Sequence, residues 1–131
     1  MLGVKMQHIE RWTQRRREIA QFYNQAFRNV PAIETPNESG WAEAVYHLYV
    51  VQVDQRDAVK QKLNEAGVGA AIHYPRPLHL QKSYAFLGHG PGSFPVSERA
   101  GERVLSLPNY PEMTEEMLAL VVEAAKNAVG T

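Results

Sequence analysis

His73, Tyr74 and His79 form the richest grouping of proton-trading side chains in the chain, within the run His73-Tyr74-Pro75-Arg76-Pro77-Leu78-His79. Imidazole titrates near neutral pH and is the commonest metal ligand. Here the two histidines are parted by two prolines, with no carboxylate or third histidine close in sequence, which argues against a metal centre. Two readings stay open: these groups shape a ligand site, or Tyr74 packs while the histidines sit half exposed. Amine chemistry would fall to Lys5, Lys60, Lys62, Lys82 or Lys126. None lies in a catalytic motif, and Lys60, Lys62 and Lys126 fall on helix faces expected to be exposed. Gly88-x-Gly90-x-Gly92 follows no strand and reads as a loop rather than a phosphate cradle. Nucleophile-elbow, Walker and dinucleotide signatures do not occur. Arg15, Arg16 and Arg17, with Arg11 and Trp12, suggest a nucleic-acid patch at first sight. Successive helical residues point about 100° apart, so the run makes no single stripe. With Glu10 and Glu18 beside it, a solvated helix face is the expected reading.

The elements that must position these groups can be read from periodicity. Ile9, Trp12, Ile19, Ala20, Tyr23 and Phe27 recur at helical spacing, which predicts one helix from about Val4 to Phe27, without a side-chain cap at its start. A helix starting uncapped at a chain terminus reads as cut rather than begun. Pro31 and Pro36 bracket a short extended piece around Ile33. Ala44 to Val53 is rich in β-branched and aromatic residues and reads as a strand. Asp54 and Asp57 should open a short helix that buries Val59, Leu63 and Ala66 and stops at Gly67. Val68 to Tyr74 reads as a second strand, and the prolines after it as an extended loop through Gln81. Ser83–Leu87 suggests a helical turn. Pro95 suits the first turn of a helix to Arg103. Val104 to Pro108 is a final strand, and Thr114 caps a last helix with Met117, Leu118, Val121, Val122, Ala125 and Val129 inward. The expected architecture is α+β, residues 1–131 as one domain: a small, mostly antiparallel sheet of about three strands packed with helices.

Composition narrows the possibilities. The chain has 131 residues, 44% hydrophobic and 21% charged, enough for a core without staples. It has no cysteine, so thiolate and disulfide chemistry are excluded. Lys plus Arg equals Asp plus Glu at 14 each, which disfavours nucleic-acid binding and a polybasic membrane anchor. The N-terminus lacks a signal-peptide core, and no window nears the ~20 apolar residues of a membrane span. A cytoplasmic protein is expected.

Four stretches carry a resemblance. Arg15 to Asn24 is similar to a long linking helix, and Tyr46-His47-Leu48-Tyr49-Val50 to a first small-domain strand. Gly67 to Gln81, with His-Tyr-Pro and Pro-Leu-His-Leu-Gln, looks like a signature. Phe94-Pro95-Val96-Ser97-Glu98-Arg99 with Leu105-Ser106-Leu107-Pro108 completes the series. Together they resemble the C-terminal small domain of the DegT/DnrJ/EryC1/StrS sugar-nucleotide aminotransferases, which use pyridoxal phosphate (PLP). The resemblance implies that His73, Tyr74 and His79 lie near the sugar-nucleotide side of the site. It also implies that the PLP-holding lysine, phosphate loop and pyridine-pairing carboxylate belong to a large domain not matched here. No catalytic, cofactor-binding or metal residue is therefore assigned in this chain. The expectation is a stand-alone module, non-catalytic alone, that self-associates or partners a large-domain or full-length aminotransferase. Completion of an active site in trans, a truncated product without activity, and an unrelated small-ligand binder are the alternatives.

Overall fold

The computed structural model describes residues 2–130. Helix α1 spans Leu2–Met6 and α2 Ile9–Phe27; strand β1 is Ile33–Glu34 and β2 Tyr49–Val53. Helix α3 is Arg56–Glu65, α4 Pro95–Arg103, strand β3 Val104–Leu107, and helix α5 Glu115–Val129. The fold is α+β, with one three-stranded antiparallel sheet in the order β1-β2-β3.

Side-chain alternation divides the sheet. Along β2, Tyr49, Val51 and Val53 are buried while Val50 and Gln52 are only half covered, as the two-residue period requires. Tyr49 pairs Leu107 and Val51 pairs Leu105, so these four share one face. That face meets Ile19, Ala20, Tyr23 and Phe27 of α2, Val59 and Leu63 of α3, and Leu118, Val121 and Ala125 of α5. Each large apolar side chain buried there contributes on the order of 1.5–3 kcal/mol. Two tyrosines reach into this layer and keep their hydroxyls bonded: Tyr23 donates to the Pro108 carbonyl at 2.9 Å and Tyr49 to Asn24 Oδ1 at 2.6 Å. Burial, then neighbouring tyrosines, raises both phenol pKa values, so both remain neutral donors. The α5 ends are built as read: Thr114 Oγ1 accepts from the Met117 amide at 3.3 Å, and Gly130 closes the helix at φ 82°.

Several expectations are corrected. The first helix breaks at Gln7–His8, and α1 buries none of its residues against the core. Only Tyr49–Val53 of the expected 44–53 strand is extended in the sheet. Side chains capture the backbone before it: Arg17 bonds the Ala44 carbonyl, Asn109 that of Tyr46 and Arg16 that of His47, and Tyr46 sits at φ 47°. The expected 68–74 strand is reduced to one bridge, Ala71 to Ser106. The Ala70 amide is already committed to Asn64 Oδ1 at 3.0 Å and the Val68 carbonyl at 2.9 Å, and prolines follow. The short piece at Ile33 supplies the third strand instead. Helix α3 has Gln55, at φ 50°, in the cap position and no side-chain cap; Asp54 stands one residue too early and pairs with Arg103 at 2.9 Å. Ala66, beyond its last turn, and Met117 are exposed, whereas Lys60 and Lys126 are half buried. Leu78–Leu80 closes a 3-10 turn where an extended loop is expected, and a second covers Lys82–Leu87. No helix among the described residues is long and apolar enough to cross a membrane.

The arginine run is not a solvated face. Arg15 donates to the Met113 carbonyl at 2.9 Å, Arg16 to the Asn109 and His47 carbonyls, and Arg17 Nε to the Ala44 carbonyl at 2.8 Å. All three are half buried. Their forks suit this because one guanidinium can satisfy several carbonyls that no ladder reaches.

Candidate functional site

The second sheet face positions the candidate site. Ser106 lies between Leu105 and Leu107 in β3, so its hydroxyl points away from the core. It meets His73 Nδ1 at 2.9 Å, just past the Ala71–Ser106 bridge. This contact fixes the imidazole and leaves Nε2 for a ligand. The His73–Tyr74 peptide is cis. Tyr74 is 74% exposed and stands edge-on to His73 at 5.5 Å, so it does not pack into the core.

The chain then doubles back against α4. Gly101 makes this possible: a Cβ there would lie 3.0 Å from Pro77 Cδ and 3.3 Å from the Pro75 carbonyl oxygen. Between the two segments is an open cleft of about 260 Å³, lined by His73, Tyr74, Arg76, Gln81, Ser97 and Gly101, with apolar flanks. Imidazole, phenol, guanidinium, amide and hydroxyl converge here with no carboxylate in the lining. The set can hydrogen-bond hydroxyls and take an oxyanion on Arg76.

His73 and Tyr74 are thus brought together, and His79 is not. His79 does not line the cleft; its Nε2 meets Glu98 Oε1 at 3.0 Å and its ring meets Phe94 edge-on at 4.9 Å. Glu98 also accepts from the Gly92 amide on both oxygens at 2.9 Å and from the Phe94 amide at 3.1 Å. The Gly92 and Phe94 amides, then His79, hold its carboxyl below the usual carboxylate range. Reasoning from sequence did not single out Arg76, Gln81, Ser97, Glu98, Gly101 or Ser106 as site residues, although all but Gly101 fall within the resembling stretches.

A second groove, about 340 Å³, opens among Ile9, Trp12, Val45, His47 and Tyr110. Leu2, Val4 and Met6 are exposed beside it in sequence. Among the described residues no group of three His, Cys, Asp or Glu stands together to hold a metal.

PLP, the cofactor implied by the resemblance, does not fit the cleft. It requires a lysine and an acid for its ring nitrogen, and the lining offers neither. Lys62 instead donates to the Ala128 carbonyl at 3.0 Å.

The DegT/DnrJ/EryC1/StrS aminotransferase family model matches residues 1–126. The chain is 41% identical to the erythromycin biosynthesis sensory transduction protein EryC1 of Saccharopolyspora erythraea, over 96% of this chain and 34% of that protein. It is 40% identical to the dTDP-3-amino-3,6-dideoxy-alpha-D-galactopyranose transaminase of Aneurinibacillus thermoaerophilus, over 95% of this chain and 33% of that protein. The structure overlays DesV from S. venezuelae with TM-score 0.94 at 29% identity, covering 99% of this chain and 35% of DesV. The chain spans about a third of the length of the curated relatives it matches. It belongs to the DegT/DnrJ/EryC1/StrS aminotransferase family.

Proposed function

We propose that this chain is the substrate-side module of a PLP-dependent sugar-nucleotide aminotransferase, cytoplasmic and non-catalytic alone. The observation that carries the reading is the cleft: His73 held by Ser106, with Tyr74, Arg76 and Gln81 around one opening. These groups suit a ligand with hydroxyls and a phosphate-type anion. The lysine and the acid that hold PLP then come from a large domain, whether on the same polypeptide or on a partner. The groove at Trp12, Val45 and Tyr110 is the face on which that domain or a second copy sits, since apolar surface of this kind is usually covered. A full-length relative or a homo-oligomer satisfies the same requirement.

Titration of the 131-residue chain with PLP, followed by absorbance and borohydride reduction, tests this reading. Slow, unsaturable labelling spread over several lysines is expected. A stoichiometric band fixed on one lysine would overturn it.

A further inference from the structure

We infer that Glu98 and His79 are the positioning pair of the cleft: together they set the distance between its two walls, and so its affinity for ligand, without touching the ligand. The inference rests on the reading of the cleft as a sugar-nucleotide site. One wall is the chain from His73 to Gln81; the other is α4, through Ser97 and Gly101. Glu98 is fixed on α4, one turn in from Pro95. His79 is the middle residue of the 3-10 turn Leu78–Leu80. Their 3.0 Å contact, the imidazole Nε2 donating to the carboxylate, runs directly between the two walls. It sits behind the cleft, since neither residue lines it.

The imidazole is largely covered and the carboxylate partly so. The His79 side chain is only 7% exposed and that of Glu98 21%. Phe94 closes over the imidazole at 4.9 Å, and His89 stacks edge-on against the other reach of Phe94 at 5.0 Å. The same carboxylate gathers the Gly92 and Phe94 amides, so the 88–94 loop is tied to the same point. Three segments therefore take their position from one carboxylate. The turn itself is thin: the Leu80 amide bonds the Pro77 carbonyl at 3.1 Å and the Gln81 amide the Leu78 carbonyl at 3.0 Å. Pro77 lies against α4 at Gly101, where a Cβ would come within 3.0 Å of its ring. Cutting the His79–Glu98 contact should let the wall move out while the core, on the opposite sheet face, stays closed. A pairing whose role is merely to stabilise the fold would instead open everything together.

The test uses the full chain as Glu98→Ala, His79→Ala and His79→Gln, where the glutamine amide can replace the Nε2 donor. Two readouts are taken: amide hydrogen exchange, and Kd for dTDP-glucose from NMR shifts at Tyr74 and Arg76. In both alanine variants, exchange at Leu80 and Gln81 should rise at least tenfold while Val51 and Leu105 keep their rates. Affinity should fall at least fivefold, and His79→Gln should recover most of both. Unchanged exchange at Leu80 and Gln81, or an equal rise at Val51 and Leu105, would overturn the inference. Tight binding in both alanine variants would overturn it too. If the unmodified chain does not bind dTDP-glucose, the reading of the cleft fails, and exchange alone decides whether the pair sets the wall.

Discussion

Replacing Arg16 by Ala separates two accounts of the arginine run. If the run were a solvated face, the change would stay within about 0.5 kcal/mol, as surface substitutions do. The structure gives Arg16 a different task. Its guanidinium donates to the Asn109 carbonyl and to the His47 carbonyl at 3.3 Å. Asn109 is 8% exposed and its amide in turn donates to the Arg16 and Tyr46 carbonyls at 3.4 and 3.2 Å. Removing the side chain strands a carbonyl in a place water reaches poorly. Bonds to charged donors contribute about 1.5–3 kcal/mol, and an abandoned buried acceptor costs about 1–3. The 3.3 Å bond is long and its site exposed, so a loss of roughly 2 kcal/mol is the expected sum. In a domain whose total stability is about 5–15 kcal/mol, that is a large fraction. Urea unfolding followed by tryptophan fluorescence in a Trp41→Phe background reads it well, because Trp12 lines the same groove as Arg16 and Trp41 is exposed. The midpoint should fall with the slope unchanged. Arg11→Ala, at an exposed position of the same run, serves as the control and should shift nothing. An Arg16→Ala loss below about 0.5 kcal/mol would refute the clamp.

Two further outcomes follow from the cleft. Gly101→Ala removes a helix-weakening glycine, a gain of about 0.5–1 kcal/mol, but presses on Pro77 at 3.0 Å, a cost of about 1–3. A net loss of about 1 kcal/mol, read as a small fall in melting temperature, is expected, with NMR shifts concentrated at 73–81; shifts spread through the core would contradict the close approach. Glu98 has a folded pKa below its ordinary value. Its contribution is therefore complete above the ordinary carboxylate range and is lost as pH falls through the folded value. Stability measured from neutral to acid pH should fall more steeply in the parent chain than in Glu98→Gln; parallel curves would contradict this.

The parts of the fold legible in the sequence are those governed by local rules. Apolar spacing predicts α2, α3 and α5, Pro95 predicts α4, and the caps at Thr114 and Gly130 lie where their chemistry requires. The strands were harder because a strand exists only if its backbone groups are free to pair. Ala44–Leu48 has strand composition, yet arginines far away in sequence hold its carbonyls. The same long-range capture hid the role of Arg15, Arg16 and Arg17. In the candidate site, His73 and Tyr74 were recognisable from their residue types. Arg76 was passed over among prolines, and Gly101 reads as an ordinary helix glycine until the chain folds back onto it. His79 has the same residue type as His73, and only the tertiary partner Glu98 separates their positions.

The most direct test of the central claim is a chimera. The C-terminal third of the Aneurinibacillus thermoaerophilus transaminase, the part this chain matches at 40% identity, is replaced by the present chain, and transamination of a dTDP-ketosugar is followed with PLP and an amino donor. The account predicts turnover by the chimera, none by the chain alone, and loss of turnover when His73 and Tyr74 are both replaced by Ala. A folded, PLP-loaded chimera without activity, or activity in the isolated chain, would contradict it.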